Sequence, residues 1–202
     1  MEEIAALIEP WIGGPVDWKQ IILIGLTPVF LGAFAVEFWW MRRQKRLGQQ
    51  FALRDVMTNL NLGGSYQLFE LVGHALIFMA AMHWIHDHRV MDVPLTVWTV
   101  PLLFLLVEFC YYWFHRASHR IRWFWCAHVV HHSGEHMNLT TAMRQSMLYS
   151  LTGYWLFFAP LMLIGVRPEV TMALYAGNLA YQYFVHTEAV DRLPAWIEYI
   201  LG

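Results

Sequence analysis

Charge is scarce in this sequence. Lysine, arginine, aspartate and glutamate make up 14% of its 202 residues, where a soluble domain carries about 25%. The formal net charge is −2, and no basic stripe with interleaved aromatics runs through the chain, so a nucleic-acid partner is not expected. Cysteine is nearly absent. Cys110 lies in an apolar run and Cys126 in a histidine-rich one, with no CxxC, which leaves neither a disulfide framework nor a thiolate zinc site. HExxH is missing, and with it the usual zinc-protease helix. The N-terminus, MEEIAALIEP, has no basic segment. It therefore does not read as a cleaved signal peptide, and the first apolar run is expected to stay in place as a membrane helix.

What fills the chain instead is apolar surface, 58% of residues, with 11 tryptophans, 9 tyrosines and 13 phenylalanines. A spanning helix needs about 20 mostly apolar residues. Candidate spans run over residues 21–41, 60–85, 95–114, 147–166 and 170–185, the last of them short. The first ends in Trp39-Trp40 and the cluster Arg42-Arg43-Gln44-Lys45-Arg46, an aromatic belt followed by an anchoring charge patch. Residues 47–60 read as a polar interfacial link, and Glu37 and Glu70 as acids facing the interior of the bundle. With the N-terminus outside, the inner side holds Arg42, Arg43, Lys45, Arg46, Arg54, Arg116, Arg120, Arg122, Arg144 and Arg192, against Lys19, Arg89 and Arg167 outside. The positive-inside rule favours this orientation. The expected fold is all-α, a multi-pass transmembrane bundle of four to five membrane helices under a cytoplasmic, histidine-rich metal cap. Residues 1–50 form the N-terminal segment with the first span and its basic anchor, and 51–202 the main membrane domain.

Eleven histidines in so apolar a chain require an explanation. His115 and His119 are four residues apart, one helical turn on a common face. Glu108 lies on the same stripe. His128, His131 and His132 have offsets of three and four and are expected to share a second helical face. Crowded together, such rings repel one another when protonated and lack solvation when neutral. A metal ion resolves both problems, and neutral imidazole suits iron, zinc, copper or nickel. Five imidazoles exceed the needs of one four-coordinate ion, so a dinuclear or octahedral site is expected. The Glu-x-x-His pairs of carboxylate di-iron bundles are absent. A haem between His74 and His186 would leave the cluster unexplained. His83, His86 and His88 read as a surface loop and His74 as a packing residue.

Three stretches carry a family resemblance: Tyr112-Trp113-Phe114-His115-Arg116-Ala117-Ser118-His119, His128-Val129-Val130-His131-His132-Ser133-Gly134-Glu135, and Asn138-Leu139-Thr140-Thr141-Ala142-Met143-Arg144-Gln145. They resemble the fatty acid hydroxylase and sterol desaturase superfamily, especially its alkylglycerol monooxygenase and bacterial sterol-desaturase-like branch. Phe184-Val185-His186-Thr187-Glu188 with Leu193-Pro194 is similar to that branch too. The resemblance implies two non-haem iron ions held by His115, His119, His128, His131, His132 and His186, with Glu108 and Glu135 orienting ligands from behind. It implies an O2-dependent hydroxylase or desaturase acting on a fatty acyl, alkylglycerol or sterol chain in the membrane. Electrons would come from a redox protein or a reduced pterin, since no flavin, nicotinamide or haem motif is visible. The host membrane would be a bacterial inner membrane or the endoplasmic reticulum. The family also carries a third box of the HHxxHH type, and no histidine follows His186 here. The sequence therefore leaves open a catalytically incomplete or regulatory membrane protein that keeps the fold, and a haem-binding electron carrier.

Overall fold

A computed structural model describes residues 18–73 and 78–201. His74 lies outside them. The described residues are all-helical, with no strand. Helices α1 (Trp18–Gly25) and α2 (Thr27–Arg43) are bent against each other by 42°. Pro28 sits in the first turn of α2, where a missing N–H costs nothing. Arg42 and Arg43 occupy its last turn, favourable against the helix dipole. The Arg43 guanidinium lies 4.3 Å from the centre of the Trp39 ring. Next come α3 (Leu47–Gln50), α4 (Leu53–Gly73) and α5 (Met79–Asp87), then the long α6 (Thr99–Arg120).

Ile121 is extended, with φ −110° and ψ 122°. It ends α6 and starts α7 (Arg122–His128), so the chain folds back on itself between the two histidine boxes. Short 3-10 turns follow at His131–Ser133, Leu139–Met143, Tyr149–Thr152 and Tyr154–Phe158. Helices α8 (Ala159–Ile164), α9 (Pro168–Tyr183) and α10 (Ala195–Leu201) complete the described chain. Helix α9 packs on α1 and α6. The core lies where α6, the 149–158 turns and α9 meet, around Val107, Phe114, Tyr154, Phe158, Met172 and Tyr175, all nearly inaccessible.

The spans are more broken than the sequence suggested. Among the described residues no single helix is long and apolar enough to cross a membrane. The α1–α2 pair passes only as a bent unit. Residues 147–166 divide into two 3-10 turns and a six-residue helix. Gly153 takes a left-handed φ of 84° between the turns, and Pro160 opens the helix. The expected link at 47–60 is helical for most of its length, because α4 begins at Leu53. Large apolar side chains nevertheless face outward along α2, α4 and α6, among them Val36, Trp39, Leu68, Leu71, Leu105 and Phe109.

Glu37 and Glu70 are buried, as expected of acids facing the interior. Lys19, counted above among outer-side charges, is also fully buried. Its ammonium is paired with the Glu70 carboxylate and donates to the Tyr154 hydroxyl at 3.0 Å. A charge count along the sequence cannot distinguish a solvated lysine from one buried against an acid 51 residues away.

Gly165 ends α8 with φ 115°, and a Cβ there would lie 1.9 Å from the Met91 carbonyl oxygen. The 90–93 loop docks on this helix end through Val90 N–H to Leu163 O (2.9 Å) and Val93 N–H to Gly165 O (3.3 Å). Gly165→Ala adds left-handed strain of about 1–3 kcal/mol to a backbone clash. A lowered melting temperature in detergent is the expected result, and an unchanged one would show that the loop does not hold this position.

Candidate metal centre

Helix α6 carries His115 and His119 one turn apart, as their spacing requires, and their Nε2 atoms approach to 3.1 Å. The fold-back at Ile121 brings α7 alongside. His128 Nε2 then lies 3.2 Å from His119 Nε2 and 3.1 Å from His132 Nε2. Nitrogens of His115, His119 and His128 thus all lie within 4.8 Å of one another, and His132 adjoins them through His128. His131 does not join them. Its Nε2 faces His186 Nε2 at 3.1 Å, and its ring centre is 5.1 Å from that of His132. The expected shared face for His128, His131 and His132 is therefore divided. Helix α7 stops at His128, and the tighter 131–133 turn rotates His131 away from its neighbours. The six rings form a group of four beside a group of two.

Hydrogen bonds set the tautomers of three rings. Tyr111 donates to Gln182 Oε1 at 2.7 Å, so its oxygen accepts from His115 Nδ1 at 3.3 Å. His131 Nδ1 donates to the Arg144 carbonyl at 3.1 Å, and His186 Nδ1 to the Gln182 carbonyl at 2.6 Å. Each bond places the proton on Nδ1 and leaves the Nε2 lone pair directed into the cluster, as ligating histidines require. Among the described residues His128 Nδ1 is buried without a hydrogen-bond partner, so this ring is held by the Nε2 cluster and its packing. The Nε2 lone pairs of His131 and His186, which face one another at 3.1 Å, repel unless a cation lies between them. Two nitrogens about 2.1 Å from one ion are separated by about 3.0–3.4 Å at octahedral to tetrahedral angles. The donor set therefore fits a metal ion.

Among the described residues no hydrogen bond joins Glu108 to an imidazole. It accepts from Asn178 Nδ2 at 2.5 Å, Asn178 Oδ1 accepts from Gln182 Nε2 at 2.5 Å, and Gln182 leads through Tyr111 to His115. Glu135 sits with Asp55 and His136, and no hydrogen bond joins it to a box histidine among the described residues. Sequence reasoning missed Tyr111, Asn178, Gln182 and the Asp55–His136 contact at 2.7 Å. It also missed Arg144, which donates to Asn59 Oδ1, Val130 O and Ser133 Oγ and so ties the second box to α4. His83 pairs with Glu169 at 3.1 Å, and His88 bonds to the Trp84 carbonyl. Neither belongs to the centre.

A cavity of about 580 Å³ opens onto the rings of His115, His128, His131, His132 and His186. Its volume suits a ligand of lipid-fragment size. Leu23, Phe30, Leu31 and Phe34 of α1 and α2, with Leu60 of α4, supply its apolar wall. On the other side of the cluster His119 is exposed in a notch with Arg120, Ile121, Arg122 and Trp125. The Trp125 ring stacks on His132 with centres 5.9 Å apart.

Burial lowers the imidazole pKa values, and mutual repulsion among the rings adds to it. His115 is pushed down to about 4, His128 to about 3 and His131 to about 4, and His132 and His186 are lowered as well. The unfolded chain binds protons from about pH 6.5 downward, and the native cluster does not. Metal-free protein should therefore lose stability as pH falls from about 7 to about 5, because the unfolded state takes up more protons across that window. Melting temperatures across the range test this. A flat profile would show that the rings are not held neutral.

Residues 100–202 match the fatty acid hydroxylase family. The chain is 34% identical over 170 residues to the alkylglycerol monooxygenases of Danio rerio and Homo sapiens, covering 83% of this chain and 37% of each relative. It is 27% identical over 177 residues to a cholesterol 25-hydroxylase-like protein of Caenorhabditis briggsae, covering 75% of this chain and 56% of that one. No solved structure matches it. The chain belongs to the fatty acid hydroxylase family. It spans a little over a third of the length of the alkylglycerol monooxygenases it matches.

Proposed function

We propose that this chain carries the metal-binding core of a membrane-bound, O2-dependent non-haem di-iron oxygenase that hydroxylates or desaturates a C–H bond of a lipid. The observation that carries the reading is the clustering of six imidazoles, five of them on a largely apolar cavity and three with Nε2 freed by Nδ1 hydrogen bonds. The relatives' names support a lipid substrate of alkylglycerol, sterol or fatty acyl type. His115, His119, His128 and His132 would hold one iron, and His131 and His186 would contribute to the second. The irons would supply the O2-activating redox chemistry, and the protein supplies position and exclusion of water. The network from Glu108 to Tyr111 fixes the His115 ring, and Arg144 fixes the loop that carries His131. The apolar wall receives the lipid tail and aligns it past the histidines.

The two sides of the cluster have separate uses in this reading. Substrate occupies the cavity, and an external donor, a redox protein or a reduced pterin, delivers electrons at the notch of His119, Arg120, Arg122 and Trp125. The exposed apolar faces of α2, α4 and α6, and the Trp39–Arg43 belt, support a multi-pass chain in a bacterial inner membrane or the endoplasmic reticulum, with the histidine side cytoplasmic.

Anaerobic iron loading followed by incubation with O2, reductant and an alkylglycerol tests the reading. Mass spectrometry should detect a product that has gained oxygen, and the optical spectrum should lack a Soret band. A Soret band, or no bound iron, would overturn it. A second reading has one observation in its favour. The His131–His186 group offers only two imidazoles among the described residues, too few for a four-coordinate ion. A chain that binds one iron and forms no product would be the catalytically incomplete member of its family.

A further inference from the structure

Helix α2 carries one acid, Glu37, in an otherwise apolar run from Pro28 to Met41. The residue is 4% exposed. A carboxylate so placed is costly unless hydrogen bonds satisfy it, and its partners show what it holds. The Leu139 N–H donates to Oε2 at 2.9 Å and approaches Oε1 at 3.2 Å. The Thr187 hydroxyl donates to Oε1, and its oxygen accepts in turn from the Ala189 N–H at 3.0 Å.

Both partners belong to the loops that present the group of two histidines. Thr187 directly follows His186. Leu139 opens the 139–143 turn, which the Asn138 side chain caps. That turn leads to Arg144, whose carbonyl receives the His131 Nδ1–H at 3.1 Å. The two rings then meet, Nε2 to Nε2, at 3.1 Å. Contacts on either side of Glu37 hold the His186 segment as well. The Tyr183 hydroxyl donates to the Phe30 carbonyl at 2.9 Å, and Arg46 donates to Asp191 at 3.3 Å. Among the described residues no hydrogen bond joins Glu37 to α6 or α7, which carry His115, His119 and His128. We propose that Glu37 is a positioning residue for one half of the metal centre. It ties the His131 loop to the His186 loop from behind, so that the two rings face one another only while α2 is in place. This rests on the histidines being metal ligands, and it gives the first apolar helix, which supplies no ligand itself, control over the second metal position.

Titration of the full, metal-free chain with Co2+ in maltoside micelles tests this, with visible absorption of the bound ion as the readout. The parent chain should bind two equivalents. Glu37→Leu and Thr187→Val should weaken one of them by about 10–100-fold, the loss expected when a group that orients ligands is removed, and leave the other unchanged. Glu37→Gln keeps an acceptor oxygen and Thr187→Ser keeps the hydroxyl, so both should retain the second equivalent. Site-resolved carbethoxylation of the metal-free proteins supplies a readout without metal. His131 and His186 should react faster in Glu37→Leu and Thr187→Val than in the parent chain, and His115 and His128 should not. Loss of both equivalents together, with faster labelling of all four rings, would show that Glu37 serves the whole fold and would overturn the proposal. Unchanged binding and labelling would overturn it too. A parent chain that binds fewer than two cobalt ions would refute the two-metal reading instead, and the labelling of His131 and His186 would then decide the role of Glu37 alone.

Discussion

His128→Ala should strip metal from the group of four histidines and abolish turnover. His128 is the central ring of that group. Its Nε2 is the nitrogen that approaches both His119 and His132, at 3.2 and 3.1 Å, and the residue is 3% exposed. Without it the Nε2 contact that links His132 to the others is lost, and His115 with His119 remains a two-nitrogen site. Removing a group that only orients a ligand lowers metal affinity about 10–100-fold, and loss of a ligand at the centre should exceed that. Metal content after gel filtration of iron-loaded protein measures the effect. His83→Ala, which alters a histidine paired with Glu169 instead, should retain iron at the level of the parent chain. Equal iron in both variants would remove His128 from the centre. The distinction from misfolding lies in the metal-free proteins, where His128→Ala should still melt cooperatively.

The half of this centre built on a continuous helix was legible in the sequence. His115 and His119 need only the four-residue offset and an uninterrupted α6. The other half was not, because its geometry depends on where a helix ends. The offsets of His128, His131 and His132 describe one face only if α7 continues past His128. It stops there, and His131 turns to a partner 55 residues away. His186 entered the ligand set by resemblance alone, since one histidine after an apolar run has no local signature. Glu108 was singled out by its stripe on α6, but its route to His115 runs through Asn178 and Gln182 on α9. Such links arise from packing between distant segments and leave no periodic trace. The same limit applies to the spans. Apolar content suggested one spanning helix over residues 147–166, yet a left-handed glycine and a proline divide them.

Lys19→Met should be the most damaging single substitution away from the histidines. Lys19 and Glu70 are both fully buried, and their pair joins α1 to α4. Tyr154 takes part from both sides, accepting from Lys19 at 3.0 Å and donating to Glu70 Oε2 at 3.2 Å. The ammonium also lies 5.4–5.8 Å from the ring centres of Tyr66, Tyr154 and Tyr175. Taking away one partner strands the other charge in the interior, at a cost of about 3–5 kcal/mol. The double variant Lys19→Met with Glu70→Leu removes both charges and should recover most of that loss, because a buried pair contributes little beyond what apolar packing supplies. Denaturation in detergent of the two single variants and the double variant closes the cycle. A double variant as unstable as the sum of the singles would show that the pair acts through Tyr154 and its neighbours rather than through charge compensation. Tyr66 and Tyr175 also line the cavity, so the double variant carries a second expectation. If the pair's role is to hold those rings in place, the recovered protein should still bind lipid more weakly than the parent chain.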